Sequence, residues 1–299
     1  MSTARDANKS ATAGSCRSGS VNGSPGGSGE CDRLLTFGAD LSGLPSPSPT
    51  IISVATNPMA FNTNGVILYR GFSPIDGAPI VLIATGLTTK STNSKTGDEI
   101  QTWILREDVN PVHALNEGLD ESICGDCPHR KINQGSCYVN VGQAPNNVWK
   151  CYKTGKGYQD ASDSADWSAF FSGRVVRFGS YGDPAMVPVN VWRKILSSGV
   201  TNHTGYTHQW GQEFAQDLKG LVQASVDSFA QFIDADSKGW KCFIVKRAED
   251  VIEGAAHCAA SKEKGQKTTC AACHLCDGSS THVVINAHGR GAKHVTFAG

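Results

Sequence analysis

The sequence has no long apolar run and no excess of charge of either sign. Its 299 residues carry 27 Lys and Arg against 27 Asp and Glu, so the formal net charge is zero. A protein that coats nucleic acid needs a positive excess, because such binding depends on neutralising many phosphates. No apolar stretch approaches the roughly 20 residues that a membrane-spanning helix needs. The sequence therefore predicts neither a nucleic-acid coat protein nor a membrane protein.

Motifs for several common chemistries are also absent. The chain contains no G-x-x-x-x-G-K-[ST] phosphate loop, no G-x-S-x-G and no H-E-x-x-H. These absences argue against P-loop nucleotide hydrolysis, hydrolase-type acyl transfer and zincin proteolysis. Residues 1–29 lack the apolar core of a secretory signal. We expect a cytoplasmic protein, in which clustered cysteines are metal ligands or catalytic thiols rather than a disulfide framework.

Composition divides the chain into three parts. Residues 1–45 are rich in Ser, Gly, Ala and Thr, which predicts a disordered tail that cannot bury enough apolar surface to fold. Residues 46–110 contain short β-like runs around a Pro/Asp/Gly turn at 73–77, which predicts a small antiparallel β subdomain. Residues 111–299 form the third part, which is rich in cysteine.

Strand and helix patterns alternate in the third part. Strands separated by helices indicate an α/β fold with parallel strands, here a partial (β/α) barrel. The predicted strands are 66–70, 80–84 and 100–105 in the β subdomain and 174–178, 200–204, 222–225, 241–245 and 283–286 after it, with helices at 189–196 and 210–218.

Polar residues and glycines follow the ends of successive predicted strands. Gly182-Asp183-Pro184 follows the first parallel strand, His208 the second, Asp227 the third and Lys246 the fourth. Active sites of parallel α/β folds collect at the carboxyl ends of the strands. Asp183, His208, Asp227 and Lys246 are therefore the candidate catalytic residues. His208 could also stack on a planar substrate, or simply pack among aromatic neighbours.

The cysteines near the C-terminus have the sharpest spacing, C-x11-C-x2-C-x2-C. Three cysteines at successive three-residue intervals can wrap their thiolates around one centre, as in cluster-binding ferredoxin loops. Zinc sites more often present two separated C-x2-C pairs. The spacing therefore favours an iron–sulfur cluster, with zinc as the alternative metal. The candidate ligands of this group are Cys258, Cys270, Cys273 and Cys276, whereas Cys242 lies in an apolar strand pattern and is predicted to be a core residue.

A second group comprises Cys124, Cys127 and Cys137. Three thiolates without a fourth ligand would leave an open coordination position, which catalysis requires. A four-ligand zinc site closed by Cys151 or His129 is the alternative. Both groups could also serve one centre, since ligands of one site need not be close in sequence.

Four stretches of the region from about 95 to 299 resemble uncharacterised, cysteine-rich bacteriophage proteins. More distantly, the layout is similar to radical S-adenosylmethionine (SAM) enzymes, which have a partial (β/α) barrel and a [4Fe–4S] cluster held by three cysteines. The usual C-x3-C-x2-C spacing of those enzymes is absent here. The stretches that carry the resemblance are Cys124–Arg130, Gly182–Pro184, Thr204–His208 and Cys270–Cys276.

The resemblance implies two clusters with different roles. Cys124, Cys127 and Cys137 would hold a cluster whose free iron binds SAM and cleaves it reductively to a deoxyadenosyl radical. Gly182, Asp183 and Pro184 would contact the methionyl group of SAM. The four C-terminal cysteines would hold an auxiliary [4Fe–4S] cluster, and an external electron donor would be needed.

The resemblance also implies a substrate, namely a nucleobase in phage DNA. The enzyme would isomerise an amino-acid adduct on thymidine, for example from an N-linked to a C-linked glycyl group, in the host-cell cytoplasm. Such hypermodified DNA would evade host restriction. Two alternatives are a zinc-stapled nucleic-acid-binding or regulatory protein without catalytic activity, and an iron–sulfur protein that transfers electrons or senses redox state.

Overall fold

Three antiparallel strands begin the part of the chain that the structure, a computed structural model, describes: residues 63–288, 292–295 and 297. They are β1 (Gly65–Phe72), β2 (Pro79–Thr85) and β3 (Glu99–Arg106). The turn between β1 and β2 was predicted correctly: Ser73 N–H donates to the Ala78 carbonyl at 2.8 Å, and Gly77 takes a φ of +71° that favours glycine. The tail predicted for residues 1–45 lies outside the described residues.

Parallel strands continue from β3 in chain order. The sheet runs β4-β1-β2-β3-β5-β6-β7-β8-β10-β9. The β1–β2 and β2–β3 pairs are antiparallel and the other neighbours are parallel. The remaining strands are β4 (Gln159–Asp160), β5 (Val175–Tyr181), β6 (Asn202–Thr207), β7 (Gln223–Val226), β8 (Cys242–Lys246), β9 (Ala256–His257) and β10 (Val283–Asn286).

This topology confirms an α/β fold with a mostly parallel sheet. From β3 to β10, successive long strands lie side by side, which is the winding that a partial (β/α) barrel uses. The predicted boundary at residue 110 falls just after β3, whose two neighbours are antiparallel β2 and parallel β5. The antiparallel strands thus continue into the same sheet as the parallel ones.

Helices connect the strands. The helix predicted at 189–196 is present, whereas the prediction for 210–218 was wrong in its first residues: a 3₁₀ helix begins only at Glu213. Trp210 stays outside it because its indole N–H donates to the Ser225 carbonyl at 3.0 Å. The helices are α1 (Pro111–Glu117), α2 (Glu121–Cys124), α3 (Ala144–Lys153), α4 (Ser168–Phe171), α5 (Val189–Ser197), α6 (Phe229–Ser237) and α7 (Cys270–Cys273), with 3₁₀ helices at Lys131–Asn133, Pro184–Met186, Glu213–Leu218, Lys262–Lys264 and Ala292–His294.

The core lies between the sheet and its helices. Trp192 of α5 is fully buried and packs on Phe178 of β5, with ring centroids 4.5 Å apart. Burying one such side chain stabilises the fold by roughly 1.5–3 kcal/mol. Cys242 of β8 is fully buried, as predicted. Within the described residues, no helix combines the length and the apolar character that crossing a bilayer demands.

Candidate metal centres

Arg130 fixes the loop that carries the first two cysteines. Its side chain is 7% exposed, and its Nη2 lies 2.9 Å from Asp120 Oδ1. Its Nη1 lies 3.2 Å from Glu121 Oε2 and donates to the Gly125 carbonyl at 3.3 Å. Charge-assisted hydrogen bonds of this kind are stronger than neutral ones. Arg130, the last residue of the Cys124–Arg130 stretch, therefore has a structural role. It holds the chain around Cys124 and Cys127.

The same loop docks on the carboxyl ends of β5 and β6. Asp183 N–H donates to the Ile123 carbonyl at 2.7 Å, and Gln209 Nε2 donates to the Cys124 carbonyl at 3.2 Å. Gly125 has a φ of +60°, and a Cβ there would lie 2.5 Å from the Gln209 side chain. Only glycine fits this backbone and this approach. Cys124 is thereby held at the strand ends.

The thiols of the first cysteine group interact electrostatically with one another. The thiols of Cys127 and Cys137 lie within electrostatic range of Cys124, and Cys137 is also in range of His208. Burial raises the pKa of Cys124 well above its ordinary value, and neighbouring Asp120 adds to the effect. Such a thiol stays protonated until a cation displaces the proton.

The two residues considered as a fourth zinc ligand point elsewhere. Cys151 lies in α3, where its thiol forms a hydrogen bond with the hydroxyl of Tyr158. His129 Nε2 lies 2.7 Å from Asp227 Oδ1, and its Nδ1 lies 2.7 Å from Ser136 Oγ. Both side chains therefore already have hydrogen-bond partners other than the thiols of the first group.

The second cysteine group surrounds a single recess. The chain reaches the recess after β9 and again at α7. The backbone N–H of Cys270, the first residue of α7, donates to the Lys95 carbonyl at 2.8 Å. His274 then takes a left-handed φ of 62°, which turns the chain toward Cys276. The recess is lined by all four predicted ligands, Cys258, Cys270, Cys273 and Cys276, and by Thr204, Ala260, Leu275 and Val283 among others.

The chemistry of this recess suits a cluster with thiolate ligands. Burial raises the pKa of Cys270 to about 11 and that of Cys276 to about 12. The neighbouring thiols add to the shift, while the hydroxyl of Tyr206 donates a hydrogen bond that favours the Cys276 thiolate. Four thiols in an apolar surrounding are the donor set that iron–sulfur clusters use, and hydrogen bonds to the sulfurs tune such clusters.

Arg177 connects the two cysteine groups, and the sequence analysis missed it. It lies in β5, and its Nη2 donates to the Tyr138 hydroxyl at 2.8 Å. Its guanidinium also lies over the ring of Tyr206, 5.7 Å from the centroid. The signal that could have found it is a charged residue inside an otherwise apolar strand pattern.

Glu99 is a second missed residue. It begins β3, is 1% exposed, and accepts a hydrogen bond from Thr204 Oγ1 at 3.3 Å through Oε1. Its Oε2 has no hydrogen-bond partner among the described residues. Burial raises the pKa of Glu99 to about 7, although nearby Arg177 and the Thr204 bond oppose the rise. A buried carboxyl therefore lies beside the recess of the second cysteine group.

His129, His208 and Asp227 form a third set. One ligand atom from each lies within 4.8 Å of the others, and in the part of the chain that the structure describes no other set of three His, Cys, Asp or Glu meets this spacing. Burial opposes ionisation of Asp227, but hydrogen bonds from the two imidazoles outweigh it and lower the pKa of that carboxyl. For His208, burial lowers the pKa, while bonds to Asp227 and to the Cys127 thiol raise it well above the ordinary value.

The structure brings three of the four candidate catalytic residues together. Asp183 Oδ2 accepts the His208 backbone N–H at 2.8 Å, and His208 faces Asp227. Asp183 Oδ1 accepts from Ala185 N–H and Thr207 Oγ1, so the chain itself uses both of its oxygens. Lys246 ends β8 on the neighbouring strand.

Lys246 and Gly182 complete the set of predicted residues. Lys246 is 3% exposed, and its Nζ donates to the Arg247 carbonyl at 2.9 Å.

Gly182 has a φ of +84°, and a Cβ there would lie 2.6 Å from the Cβ of Ile104. Pro184 follows the turn and opens a 3₁₀ helix. The turn at Gly182–Pro184 is therefore tightly packed.

Comparisons with protein families, with curated proteins and with solved structures found no match for this chain. The functional interpretation therefore depends on the residues themselves. Their ligand chemistry is concentrated in the two cysteine groups and in the His129–His208–Asp227 set.

Proposed function

We propose that this chain is an iron–sulfur enzyme of the radical SAM kind that acts on a nucleobase in DNA. The observation that carries the proposal is the convergence of Cys258, Cys270, Cys273 and Cys276 on one apolar recess. A second group of three thiols lies at the carboxyl ends of the strands, where active sites of parallel α/β proteins lie.

The described residues contain no preformed zinc site with three cysteine ligands. A tetrahedral zinc ion with bonds of about 2.3 Å holds its sulfur ligands within about 4 Å of one another. No set of three cysteines among the described residues has its sulfurs within 4.8 Å. The thiolates around a cluster bind different irons and stand farther apart, so a cluster does not require this close spacing.

The position of the first group supports the open, SAM-binding cluster. Its loop follows β3, the first of the parallel strands, and the Gly182–Pro184 turn follows β5, the next one. Asp183 N–H joins this turn to the loop through the Ile123 carbonyl. When bound, the cluster and SAM would supply hydrogen abstraction by a radical, which ordinary side chains cannot. Residues of the Gly182–Pro184 turn would contact SAM.

An exposed aromatic ring beside the first group supports a nucleobase substrate. Tyr138 follows Cys137 in the chain and is 71% exposed, while the Arg177 guanidinium holds its hydroxyl. Aromatic side chains bind splayed bases by stacking. The proposed reaction isomerises an amino-acid adduct on thymidine, such as N-linked to C-linked glycyl, in phage DNA within the host cytoplasm. An external donor would supply the electron, and the modified DNA would evade host restriction.

Cleavage of SAM tests this function. The full chain, prepared without oxygen and given SAM and a strong reductant, is expected to release deoxyadenosine. Cys124→Ala should abolish release while the second group keeps its iron. Cys151→Ala is the matched control, because Cys151 is occupied by Tyr158, and it should behave as the wild type. Intact SAM over a protein that carries iron and sulfide would instead indicate an electron carrier or redox sensor.

A further inference from the structure

Two imidazoles and a carboxylate face one another beside the first cysteine group. His129 Nε2 lies 2.7 Å from Asp227 Oδ1, and His208 Nε2 lies 3.8 Å from Asp227 Oδ2. All three ligand atoms lie within 4.8 Å of one another. Bonds of about 2.0–2.2 Å to a central ion would span such a set after small side-chain shifts. Two His and one carboxylate are a donor set that first-row divalent metals use.

The scaffold holds this set rigidly. His208 follows β6 and Asp227 follows β7, and these strands are parallel neighbours with Thr207 opposite Ala224. His129 comes from the loop that Arg130 fixes. Ligands supplied by neighbouring strand ends keep their geometry better than ligands supplied by loops alone.

Outer hydrogen bonds hold the imidazole of His129 and the backbone of Asp227 and His208. Ser136 Oγ lies 2.7 Å from His129 Nδ1, and the other ring nitrogen, Nε2, faces Asp227 Oδ1. Asp227 N–H donates to Gln231 Oε1 at 2.7 Å, and His208 N–H donates to Asp183 Oδ2 at 2.8 Å. Metal-binding histidines almost always have such a partner on the second ring nitrogen.

The charges around Asp227 and the recess beside it also suit a metal ion. In the described residues the ion-pair partners of Asp227 are the two imidazoles, with no Lys or Arg among them. His129 and Asp227 also line an open recess together with Asn133 and Gln134. A bound ion would replace the imidazole contacts of the carboxylate and keep coordination positions open toward this recess.

We propose that His129, His208 and Asp227 bind one divalent transition-metal ion, such as iron(II), zinc or cobalt(II), with positions open for water or substrate. The site uses no cysteine, so it does not depend on the iron–sulfur assignment. It adds a mononuclear centre next to the first cysteine group, since the His208 ring also reaches the Cys127 thiol.

Cobalt(II) is the probe that separates this site from the cysteines. Binding to imidazole and carboxylate gives weak visible bands, whereas binding to thiolates adds intense charge-transfer bands in the near ultraviolet. Titration of the full chain, with its cysteine sites as purified and the spectrum before addition subtracted, should show one cobalt per chain with weak visible bands alone. Intense near-ultraviolet charge-transfer bands would place the ion at the thiols and overturn the proposal.

Matched substitutions locate the ion. Asp227→Asn should weaken cobalt binding by at least tenfold, and Ser136→Ala should weaken it by roughly tenfold to a hundredfold through the orientation of His129. Asp236→Asn is the control, because Asp236 also faces an imidazole, His282, with its Oδ1 3.2 Å from Nε2, yet it lacks the second histidine. Equal affinity of the wild type and His129→Gln, with the fold intact by circular dichroism, would overturn the proposal.

Discussion

The guanidinium of Arg177 donates a hydrogen bond to the hydroxyl of Tyr138, with 2.8 Å between Nη2 and Oη. Tyr138 directly follows Cys137, and Arg177 also lies over the ring of Tyr206. The Tyr206 hydroxyl in turn forms a hydrogen bond with the Cys276 thiol. One side chain therefore connects the two cysteine groups, and its charge acts on whatever they hold.

Removing this charge should change the reduction potential of the cluster proposed for the C-terminal cysteines. Arg177 lies within electrostatic range of Cys270. A nearby positive charge stabilises the reduced, more negative cluster, so Arg177→Gln should lower the potential by on the order of tens of mV. Arg177→Lys, which keeps the charge, should stay closer to the wild type. A redox titration followed by electron paramagnetic resonance measures both, and an unchanged or raised potential in Arg177→Gln would contradict the assignment.

Arg130→Met should destabilise the chain strongly. The substitution leaves Asp120, which is 3% exposed, as a buried charge without its cation. Breaking a buried ion pair in this way costs roughly 3–5 kcal/mol of unfolding free energy. Lys238→Met removes a half-exposed partner of Asp234 and should cost about 0.5 kcal/mol or less. Chemical denaturation compares the two, and similar losses would show that Arg130 does not hold the cysteine loop.

Gly182→Ala should cost more stability than Gly220→Ala. Both glycines have left-handed backbones, with φ of +84° and +81°, so both variants carry a strain of about 1–2 kcal/mol. At Gly182 the added Cβ would also meet Ile104, whereas nothing lies within 4 Å at Gly220. Overpacking of this kind adds typically 1–3 kcal/mol. Unfolding free energies measured in urea should differ by that amount; equal values would mean that the strand-end turn is loosely packed.

Glu99 should make stability depend on pH. Burial raises the pKa of its carboxyl from an ordinary 4.5 to about 7, so the folded chain binds a proton that the unfolded chain releases between these values. Stability is therefore fully present below pH 4.5 and is lost as pH rises to 7, by at most about 3 kcal/mol. Glu99→Gln should remove this loss. Thermal unfolding at several pH values measures the stability of the wild type and of Glu99→Gln. An equal change of stability with pH in the two proteins would contradict the prediction.

The sequence predicted the strands well because their patterns are local. The runs at 80–84 and 283–286 are apolar and continuous, and both became buried strands. The end of β5 was placed too early, at residue 178, because Gly179 looks like a strand terminator. In the structure Gly179 takes a φ of +64° within β5, and its N–H donates to Thr102 Oγ1 at 2.9 Å. A bulge of this kind needs the neighbouring strand and cannot be read from one segment.

In the candidate site, too, the sequence predicted the local pattern and missed the long-range pairing. The spacing of Cys270, Cys273 and Cys276 is local, and it predicted that they share one recess. The pairing of His129 with Asp227 joins residues 98 positions apart. Such a pairing depends on where a loop docks on the sheet, which no sequence period records.

The iron and sulfide content of the chain, purified without oxygen, tests the central claim most directly. The account predicts a brown protein with broad visible absorbance, with iron and acid-labile sulfide in similar amounts, and with less of both in Cys273→Ala. A colourless protein that holds only zinc, or no metal at all, would contradict it.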